Sequence, residues 1–404
     1  MKSSDFGGAG WVRIVRSLEG HDACVPRDLP PEMDFTPGLV STLSAADRAI
    51  GQLAGIMRTL PNPRLLIRSF IVREAVLSSR IEGTQASLQD LFLFEVFEGV
   101  EKRVPDVREV RNYVSALERG IERLRQIPIS LNLIRELHRI LLTEVRGAER
   151  KPGEFRRVQN WIGPPGSTPA TARYVPPPPE KLAPLLHALE KYINSHSDVP
   201  LLIRIALVHY QFEAIHPFED GNGRVGRLLI SLMLDAARAL PHPVLYLSAY
   251  IEEHREAYYR HLSAVSQRGE WRPWIEFVLR GVTEQAIDGV ERSSLLMRLR
   301  EEWARRCQEA RTSALLIALV DHLFVNPYLT LASATQVLRT RPQSAQNNIK
   351  QLINLGVIRE ITGRRRNRIY AAQDVLSILD QRPAFDSAPR PPGAEKAPER
   401  RRKS

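Results

Sequence analysis

Apolar residues recur every three or four positions along most of the chain, which is the spacing of amphipathic helices. Proline pairs and single glycines separate the periodic stretches and predict where the helices end. A long stretch from Trp271 to Arg311 is predicted to continue as helix toward the C-terminal part. The helices predicted before it cover residues 44–57, 65–81, 107–125, 131–142, 180–194, 201–215 and 228–239. The fold class predicted from this pattern is mainly α.

Two parts of the chain depart from the helical period. Residues 1 to about 40 are rich in Gly and Pro, so we expect an arm laid over a domain rather than a core element. Residues 153–175 hold short extended runs around a polar loop, which predicts a small β-hairpin with an open edge. An irregular proline-rich connection is the alternative prediction for the same residues.

The C-terminal part has a pattern of its own. Helices are predicted over residues 313–324, 331–338 and 344–355, followed by a two-stranded ribbon with a basic tip. This order resembles the broad class of winged helix-turn-helix domains, which implies DNA as a candidate partner. A protein-interaction or dimer-stabilising module is the alternative. The side chains expected to meet phosphates or base edges are Arg339, Arg341, Lys350, Arg364, Arg365, Arg366, Arg368, Gln343, Gln346 and Asn347.

The composition is that of a globular protein with a basic surplus. The 404 residues are 43% hydrophobic, enough for two or three ordinary domains. A formal charge of +11 favours polyanions without choosing between nucleotides and nucleic acid. No long apolar run and no secretory pattern occur, so we expect a cytoplasmic protein that has no membrane partner. Cys24 and Cys307 lie far apart, which predicts neither a disulfide framework nor a zinc site.

The segment from His216 to Arg227 concentrates the chemistry of the chain. It contains a titratable base, two carboxylates, a Gly-Asn-Gly turn and two arginines, and it leads into an apolar helix. The glycines can direct backbone N–H groups inward, and the helix N-terminus adds a positive partial charge. Arg224 and Arg227 share one helix face, where the helix dipole disfavours cations unless an anion offsets them. The segment therefore predicts a binding site for a polyphosphate.

These twelve residues resemble the signature of the Fic family, His-x-Phe-x-(Asp/Glu)-Gly-Asn-Gly-(Arg/Lys)-x-x-Arg, with every fixed position filled. The resemblance implies a protein adenylyltransferase that moves AMP from ATP to a Tyr, Thr or Ser hydroxyl of a target protein and of itself, releasing pyrophosphate. It implies His216 as the catalytic base and Asp220 as the ligand of Mg²⁺. The implied nucleotide-binding residues are Gly221, Asn222, Gly223, Arg224, Val225, Gly226, Arg227 and Tyr259.

A second motif lies at the end of the predicted helix 65–81. Ser78 and Glu82 are four residues apart on one face, and Gly83 suits the left-handed residue that closes a helix. A carboxylate at this negative end requires a cation. The stretch resembles the inhibitory motif (Ser/Thr)-x-x-x-Glu-(Gly/Asn) of many Fic proteins. The resemblance implies that Glu82 pairs with Arg227 and blocks productive binding of the nucleotide γ-phosphate.

Several alternatives stay open from the sequence. Glu82 could orient a water molecule, so that the protein removes AMP from modified targets. The chain could instead be a DNA-binding regulator with weak catalytic activity. UMP and phosphocholine donors are alternatives to AMP, because the motif recognises phosphate more clearly than base. The target protein is unknown, and the resemblance adds a homodimer as a further candidate partner.

The expected organisation follows from these motifs. We expect an N-terminal Fic-associated helical region with an inhibitory helix at about 65–83, then a Fic-type helical core with a β-hairpin flap. A helical linker, a winged helix-turn-helix domain and a disordered basic tail complete the chain. The corresponding boundaries are 1–105, 106–290, 291–311, 312–381 and 382–404.

Overall fold

Helices form the framework of the protein, which confirms the fold class predicted from the apolar periodicity. The computed structural model describes residues 6, 10–59, 62–97, 104, 106–310 and 314–381. The helices of its larger part are α1 Pro37–Thr59, α2 Arg64–Ile81, α3 Leu88–Val96, α4 Val107–Arg123, α5 Leu131–Leu141, α6 Leu182–Asn194, α7 Leu201–Ile215, α8 Asn222–Ala236, α9 Ser248–Glu253, α10 Arg255–Arg268 and α11 Trp271–Glu309.

Helices α7 and α8 form the centre of the core, and the segment His216–Arg227 joins them. Helix α7 is buried on nearly all sides and has the predicted bounds. Helix α8 begins at Asn222, so Arg224 and Arg227 lie on it as the motif predicts, although the apolar pattern alone predicts helix only from 228. The apolar period starts only at Leu228, because the first two turns of α8 carry the motif residues instead of core residues. Helix α11 packs against α7, and its Trp274 Nε1 donates to the Ala206 carbonyl oxygen at 2.9 Å.

The N-terminal arm contains a β-hairpin that the sequence analysis did not predict. Strands β1 (Val12–Arg16) and β2 (Asp22–Pro26) pair in antiparallel register. Val12, Ala23, Cys24 and Val25 are buried, so the hairpin covers part of the core instead of lying loosely on it. Strand β1 reads Val-Arg-Ile-Val-Arg, without strict alternation of apolar and polar residues, and five residues are too few for a period to stand out in a Gly-rich stretch.

The predicted hairpin at residues 153–175 is reduced to one antiparallel bridge between Ile162 and Tyr174. Ile162 N donates to the Tyr174 carbonyl oxygen at 2.8 Å, and Tyr174 N donates back at 3.2 Å. Prolines follow directly at 176–179 and cannot donate hydrogen bonds, so the pairing does not extend. The Val175 carbonyl oxygen accepts from Cys24 N at 2.8 Å, which connects this segment to β2.

The C-terminal part has the predicted helices and ribbon together with two additional elements. Its elements are α12 Ala314–Val325, β3 Tyr328–Thr330, α13 Leu331–Leu338, α14 Pro342–Asn354, β4 Arg359–Glu360, β5 Ile369–Ala371 and α15 Gln373–Asp380. Strand β5 lies between β3 and β4 and is antiparallel to both. The sequence analysis did not predict β3 or α15, since each is short.

Polar contacts attach the C-terminal part to the helices that precede it. Ser69 Oγ on α2 donates to the Phe324 carbonyl oxygen at 2.9 Å, and Asn326 Nδ2 donates to the Phe92 carbonyl oxygen at 3.1 Å. The predicted boundary at 311/312 and the predicted tail at 382–404 lie outside the described residues. Among the described helices, none combines the length and the apolar character needed to cross a membrane.

Candidate active site

The loop between α7 and α8 is closed by left-handed residues at both ends. His216 ends α7 with φ 49° and ψ 61°, and Gly221 precedes α8 with φ 76°. The first hydrogen bond of α8 runs from Val225 N to the Gly221 carbonyl oxygen at 3.1 Å. The backbone N–H groups of residues 222–224 therefore lie ahead of the helical ladder and can bind an anion. We call this group of N–H donors the anion cradle.

Side chains hold the loop in place from inside. Asn222 Oδ1 accepts from Phe218 N at 2.8 Å, and Asn222 Nδ2 donates to the Phe218 carbonyl oxygen at 2.9 Å. Phe218 is fully buried and stacks on the His138 ring with centroids 3.7 Å apart. Both polar atoms of the Asn222 side chain thus hold the backbone of the loop at Phe218. The Asn222 backbone N–H remains in the anion cradle.

His138 supports the loop from α5. Its Nδ1 accepts from Gly153 N at 2.8 Å, which leaves Nε2 as the donor to the Asp220 carbonyl oxygen at 3.0 Å. Burial lowers the pKa of His138 to about 4, so the ring is neutral at pH 7. His138 therefore acts as a fixed hydrogen-bonding support and not as a titrating group.

His216 lies at the entrance of the loop with its backbone tightly held. Its carbonyl oxygen accepts from Arg156 Nε at 2.9 Å, and its ring Nδ1 lies 3.3 Å from the Glu213 carbonyl oxygen. An Nδ1–H donor in that contact leaves Nε2 with a free lone pair. Burial, and then the positive charge of Arg156, lower the pKa of His216 to about 4. The ring is thus a neutral proton acceptor at pH 7.

Both arginines of the motif are buried beside the anion cradle. Arg224 and Arg227 are 1% and 3% exposed. Arg227 Nε donates to Ser78 Oγ at 2.9 Å, and Arg227 Nη2 donates to the Ser78 carbonyl oxygen at 3.0 Å. The end of α2 therefore packs directly on α8, and it reaches the arginine that the motif places in the second turn.

Glu82 supplies a further hydrogen-bond acceptor for Arg227. Arg227 Nη2 donates to Glu82 Oε1 at 2.7 Å. Burial raises the pKa of the Glu82 carboxyl, but the charge and hydrogen bond of Arg227 outweigh this effect and hold the pKa below its usual value. A Cβ atom at position 223 would overlap Glu82 Oε1, so Gly223 allows the carboxylate to lie against the anion cradle. A ligand phosphate and Glu82 would therefore meet the same guanidinium group.

Comparisons with known families agree with this geometry. The family model described as Fic/DOC family N-terminal matches residues 40–122, and the Fic/DOC family model matches residues 128–234. The chain carries a Fic/DOC domain. Its helices α5, α6 and α7 and most of α8 fall within the second match, which contains the whole segment His216–Arg227.

Curated relatives are similar over part of the chain. The chain is 35% identical over 167 residues to the protein adenylyltransferase Fic of Drosophila grimshawi, covering 41% of this chain and 31% of the relative. The protein adenylyltransferase Fic of Drosophila melanogaster gives 35% identity over 167 residues, covering 41% of this chain and 30% of the relative. The chain thus spans about a third of the length of the curated relatives that it matches.

Solved structures share the fold over a larger region. A Fic family protein from Desulfovibrio desulfuricans superimposes with a TM-score of 0.56 at 22% identity, covering 85% of this chain and 98% of that chain. A Fic domain containing signaling protein from Bacteroides thetaiotaomicron gives a TM-score of 0.50 at 20% identity, covering 61% of this chain and 97% of that chain. The fold extends in both cases beyond the motif segment.

The tyrosine pair near the Fic motif divides into one core residue and one surface residue. Tyr258 is 2% exposed, and its hydroxyl group hydrogen-bonds to His209 Nε2 at 2.9 Å. Tyr259 is 39% exposed, and the Arg255 guanidinium lies 5.9 Å from its ring centroid. Burial, and then the negative charge of Glu82, raise the pKa of Tyr259. Tyr259 is the more exposed member of the pair.

Three further predicted site residues have clear environments in the Fic domain. The Asp220 side chain is 43% exposed, and its Oδ1 accepts from Gly221 N at 2.6 Å. Val225 is buried, so its side chain packs in the core. At Gly226, a Cβ atom would lie 2.2 Å from Glu213 Oε1, so any larger residue would have to displace the Glu213 side chain of α7.

The structure adds residues that the sequence analysis did not single out. Most are distant in sequence from the part of the site that they contact, whereas Glu213 and Glu74 lie within about one helical turn of His216 and Ser78. In the sequence, the only signal for these residues was a charged residue or a histidine within an otherwise apolar pattern. These residues are Glu109, His138, Arg156 and Glu213, with Glu74 and Tyr113 behind Ser78.

Proposed function

We propose that the protein is an adenylyltransferase that moves AMP from ATP to a hydroxyl group of a target protein and of itself. The observation that carries the proposal is the juxtaposition of a neutral His216 with the anion cradle and two buried arginines. A polyphosphate would offset the positive charges of the two arginines and bind the N–H groups of the anion cradle. His216 would accept a proton beside it. The names of the curated relatives support AMP as the transferred group.

The reaction that fits these residues is an in-line displacement at the α-phosphorus. His216 Nε2 takes the proton from the attacking hydroxyl group as its oxygen bonds to phosphorus, and pyrophosphate leaves with the electrons of the broken bond. The backbone N–H groups of residues 222–224 and the guanidinium group of Arg224 would bind the α- and β-phosphates. Arg227 would bind the γ-phosphate once Glu82 is displaced. Tyr259 would border the base.

Asp220 is the residue proposed to hold Mg²⁺. Within the ranges that the structure describes, no group of three or more His, Cys, Asp or Glu side chains could hold a metal ion by itself. Mg²⁺ is commonly bound by one or two carboxylates together with substrate phosphates. The partly exposed Asp220 beside the anion cradle fits that mode, and the bound ion would offset the charge that develops on the leaving pyrophosphate.

Autoinhibition by Glu82 is the second part of the proposal. The short contact between Glu82 and Arg227 uses the guanidinium edge that a γ-phosphate would need. A carboxylate at this position also repels the phosphate, since both carry negative charge close to the same cation. The protein would therefore rest with its last motif arginine occupied by its own carboxylate, and nucleotide would bind productively only when α2 shifts.

Intact-mass measurement after incubation with nucleotide and Mg²⁺ tests the transfer directly. Incubation of the Glu82→Gly protein with ATP is expected to add the mass of AMP to the chain. UTP and CDP-choline, incubated in parallel, test UMP and phosphocholine as the transferred groups. An unmodified chain with all three donors, in protein that binds ATP, would contradict self-modification. Release of AMP from a modified target would instead favour the reverse reaction.

A DNA-binding role for the C-terminal part is the second candidate function. Three helices with a three-stranded sheet suit a winged helix-turn-helix, and the segment between β4 and β5 exposes Arg364, Arg365 and Arg366. Gln343 and Asn347 are exposed on α14, where a recognition helix would present them. This observation favours nucleic acid over a purely structural module. The expected homodimer stays a prediction.

Binding of genomic fragments to the full chain tests this role. Replacing Arg365 and Arg366 with alanine is expected to weaken binding and to make its dependence on salt less steep, because fewer counterions are released. Replacement of the exposed Arg13 and Arg157 removes the same charge elsewhere and serves as the control. Equal effects of the two double variants would indicate attraction by net charge alone.

A further inference from the structure

Arg224 has an unusual environment for a buried cation. Its side chain is 2% exposed, and its Nη1 lies 3.3 Å from Glu109 Oε2. The next carboxylate oxygen, Asp220 Oδ1, is 4.0 Å from Nη2, and Arg224 Nε is buried without a hydrogen-bond partner. A buried guanidinium group is costly unless a carboxylate offsets its charge. Glu109 on α4 is therefore the main counter-charge of the first motif arginine.

Glu109 also contacts the turn that carries Glu82. Thr84 Oγ1 donates to Glu109 Oε2 at 3.1 Å, so one carboxylate oxygen is shared between Thr84 and Arg224. Arg146 connects the same groups from the loop after α5. Its Nε lies 3.7 Å from Glu109 Oε1, and its Nη2 donates to the Glu82 carbonyl oxygen at 3.4 Å. Glu109 thus lies between the anion cradle and the end of α2.

We infer that Glu109 is a positioning residue, which sets the direction of the Arg224 guanidinium group and couples it to the turn that carries Glu82. The inference rests on the proposed function, because it concerns nucleotide bound at the anion cradle. Each motif arginine then has its own protein carboxylate, Glu109 for Arg224 and Glu82 for Arg227. Thr84 and Arg146 connect the two pairs, so a displacement of Glu82 is transmitted to Arg224.

The Glu109→Gln variant, made in the Glu82→Gly protein, separates positioning from a purely structural role. The amide retains the shape but removes one negative charge near the triphosphate, so ATP is expected to bind a few-fold more tightly. The rate constant kcat is expected to fall about tenfold or more, since a small misplacement of Arg224 is costly in the transition state. Isothermal titration with ATP gives the binding, and labelled ATP gives kcat and KM.

Matched variants decide whether these changes come from the carboxylate. Glu109→Asp restores the charge and is expected to recover part of kcat. Glu118→Gln makes the same chemical change at an exposed position of α4 and is expected to change neither quantity. Weaker or unchanged ATP binding by folded Glu109→Gln, or equal kcat for the Gln and Asp variants, would overturn the inference. If the parent protein transfers nothing, the proposed function fails, while the titration still decides the role of Glu109.

Thr84→Val tests the coupling without altering either carboxylate. It removes the hydrogen bond to Glu109 and keeps the size of the side chain. With Glu82 present, the variant is expected to raise labelling several-fold, because the turn is released from α4. In the Glu82→Gly protein, the increase is expected to be clearly smaller, as the two changes act on one pathway. The same increase on both backgrounds would contradict the coupling, and a thermal unfolding curve verifies that each variant is folded.

Discussion

Replacing Glu82 with glycine is expected to raise AMP incorporation into the protein and its targets by about 5- to 150-fold, the usual range for an energetic coupling between two sites. The physical reason is competition for Arg227. Its Nη2 donates to Glu82 Oε1 at 2.7 Å, and this contact must break before a γ-phosphate can bind the same edge. Incorporation of labelled ATP, measured as initial rate, gives the increase.

Two controls separate release of Arg227 from general loosening of the chain. Glu82→Gln retains a hydrogen-bond acceptor without the charge, so an intermediate increase is expected. Glu144→Gly makes the same exchange at an exposed residue with positive φ, and labelling is expected to stay at the wild-type level. Unchanged or reduced labelling of folded Glu82→Gly would refute autoinhibition. If the wild-type protein removes AMP from a modified target and Glu82→Gly does not, the result would favour removal of AMP as the activity that depends on Glu82.

The thermal stability of the Glu82→Gly protein should also show that Arg227 has lost its counter-charge. Arg227 stays buried with its carboxylate removed, and a buried charge without a partner is destabilising. Added ATP supplies a new counter-charge, and a ligand that binds only the folded state raises the Tm. These two effects together are expected to make ATP raise the Tm of the variant more than that of the wild-type protein.

Replacing His216 with alanine is expected to lower AMP transfer by about 10²- to 10⁴-fold, the range for loss of a general acid or base. ATP binding is expected to persist, because the anion cradle and the arginines do not involve the imidazole ring. The same exchange at His187, exposed on α6, is the control and should leave transfer unchanged. Both variants are made in the Glu82→Gly protein. If folded His216→Ala transfers AMP as fast as the Glu82→Gly protein itself, His216 is not the base.

The pH dependence of transfer provides a second test of His216. Burial and Arg156 lower the pKa of His216 to about 4, so the ring carries no proton at neutral pH. The proton acceptor is lost only as the pH falls toward that value. In the Glu82→Gly protein, kcat/KM should therefore stay level from neutral pH down to about one unit above the pKa, and then decline. A decline of kcat/KM centred near the ordinary pKa of histidine would indicate that the His216 ring is exposed to solvent.

Much of the fold and the motif could be predicted because the relevant signals are local in sequence. The apolar period located α7 to the residue, because the period is set by side chains within one helix. Tyr258 is buried and Tyr259 is exposed, because adjacent helical residues point to different faces. For α8, the motif predicted a helix that carries Arg224 and Arg227, whereas the apolar period alone began only at 228.

The supports of the site could not be predicted because they come from distant elements. Arg156 holds the His216 carbonyl oxygen across 60 residues, and His138 holds the Asp220 carbonyl oxygen across 82 residues. A histidine or arginine within an amphipathic pattern has many structural uses, so its type alone does not identify a partner. The β1–β2 hairpin was missed for a similar reason, as its stability comes from packing on the core.

By itself, the sequence determined the helical class, the anion cradle, and the need of Arg224, Arg227 and Glu82 for opposite charges. These properties depend on residue types at fixed spacings along one helix or one turn. Only the tertiary structure decided which charges meet. It brought α2 and α4 against α8, and it thereby paired Arg227 with Glu82 and Arg224 with Glu109. Electrostatic energy depends on distances between buried groups, and the folded packing of the helices sets those distances.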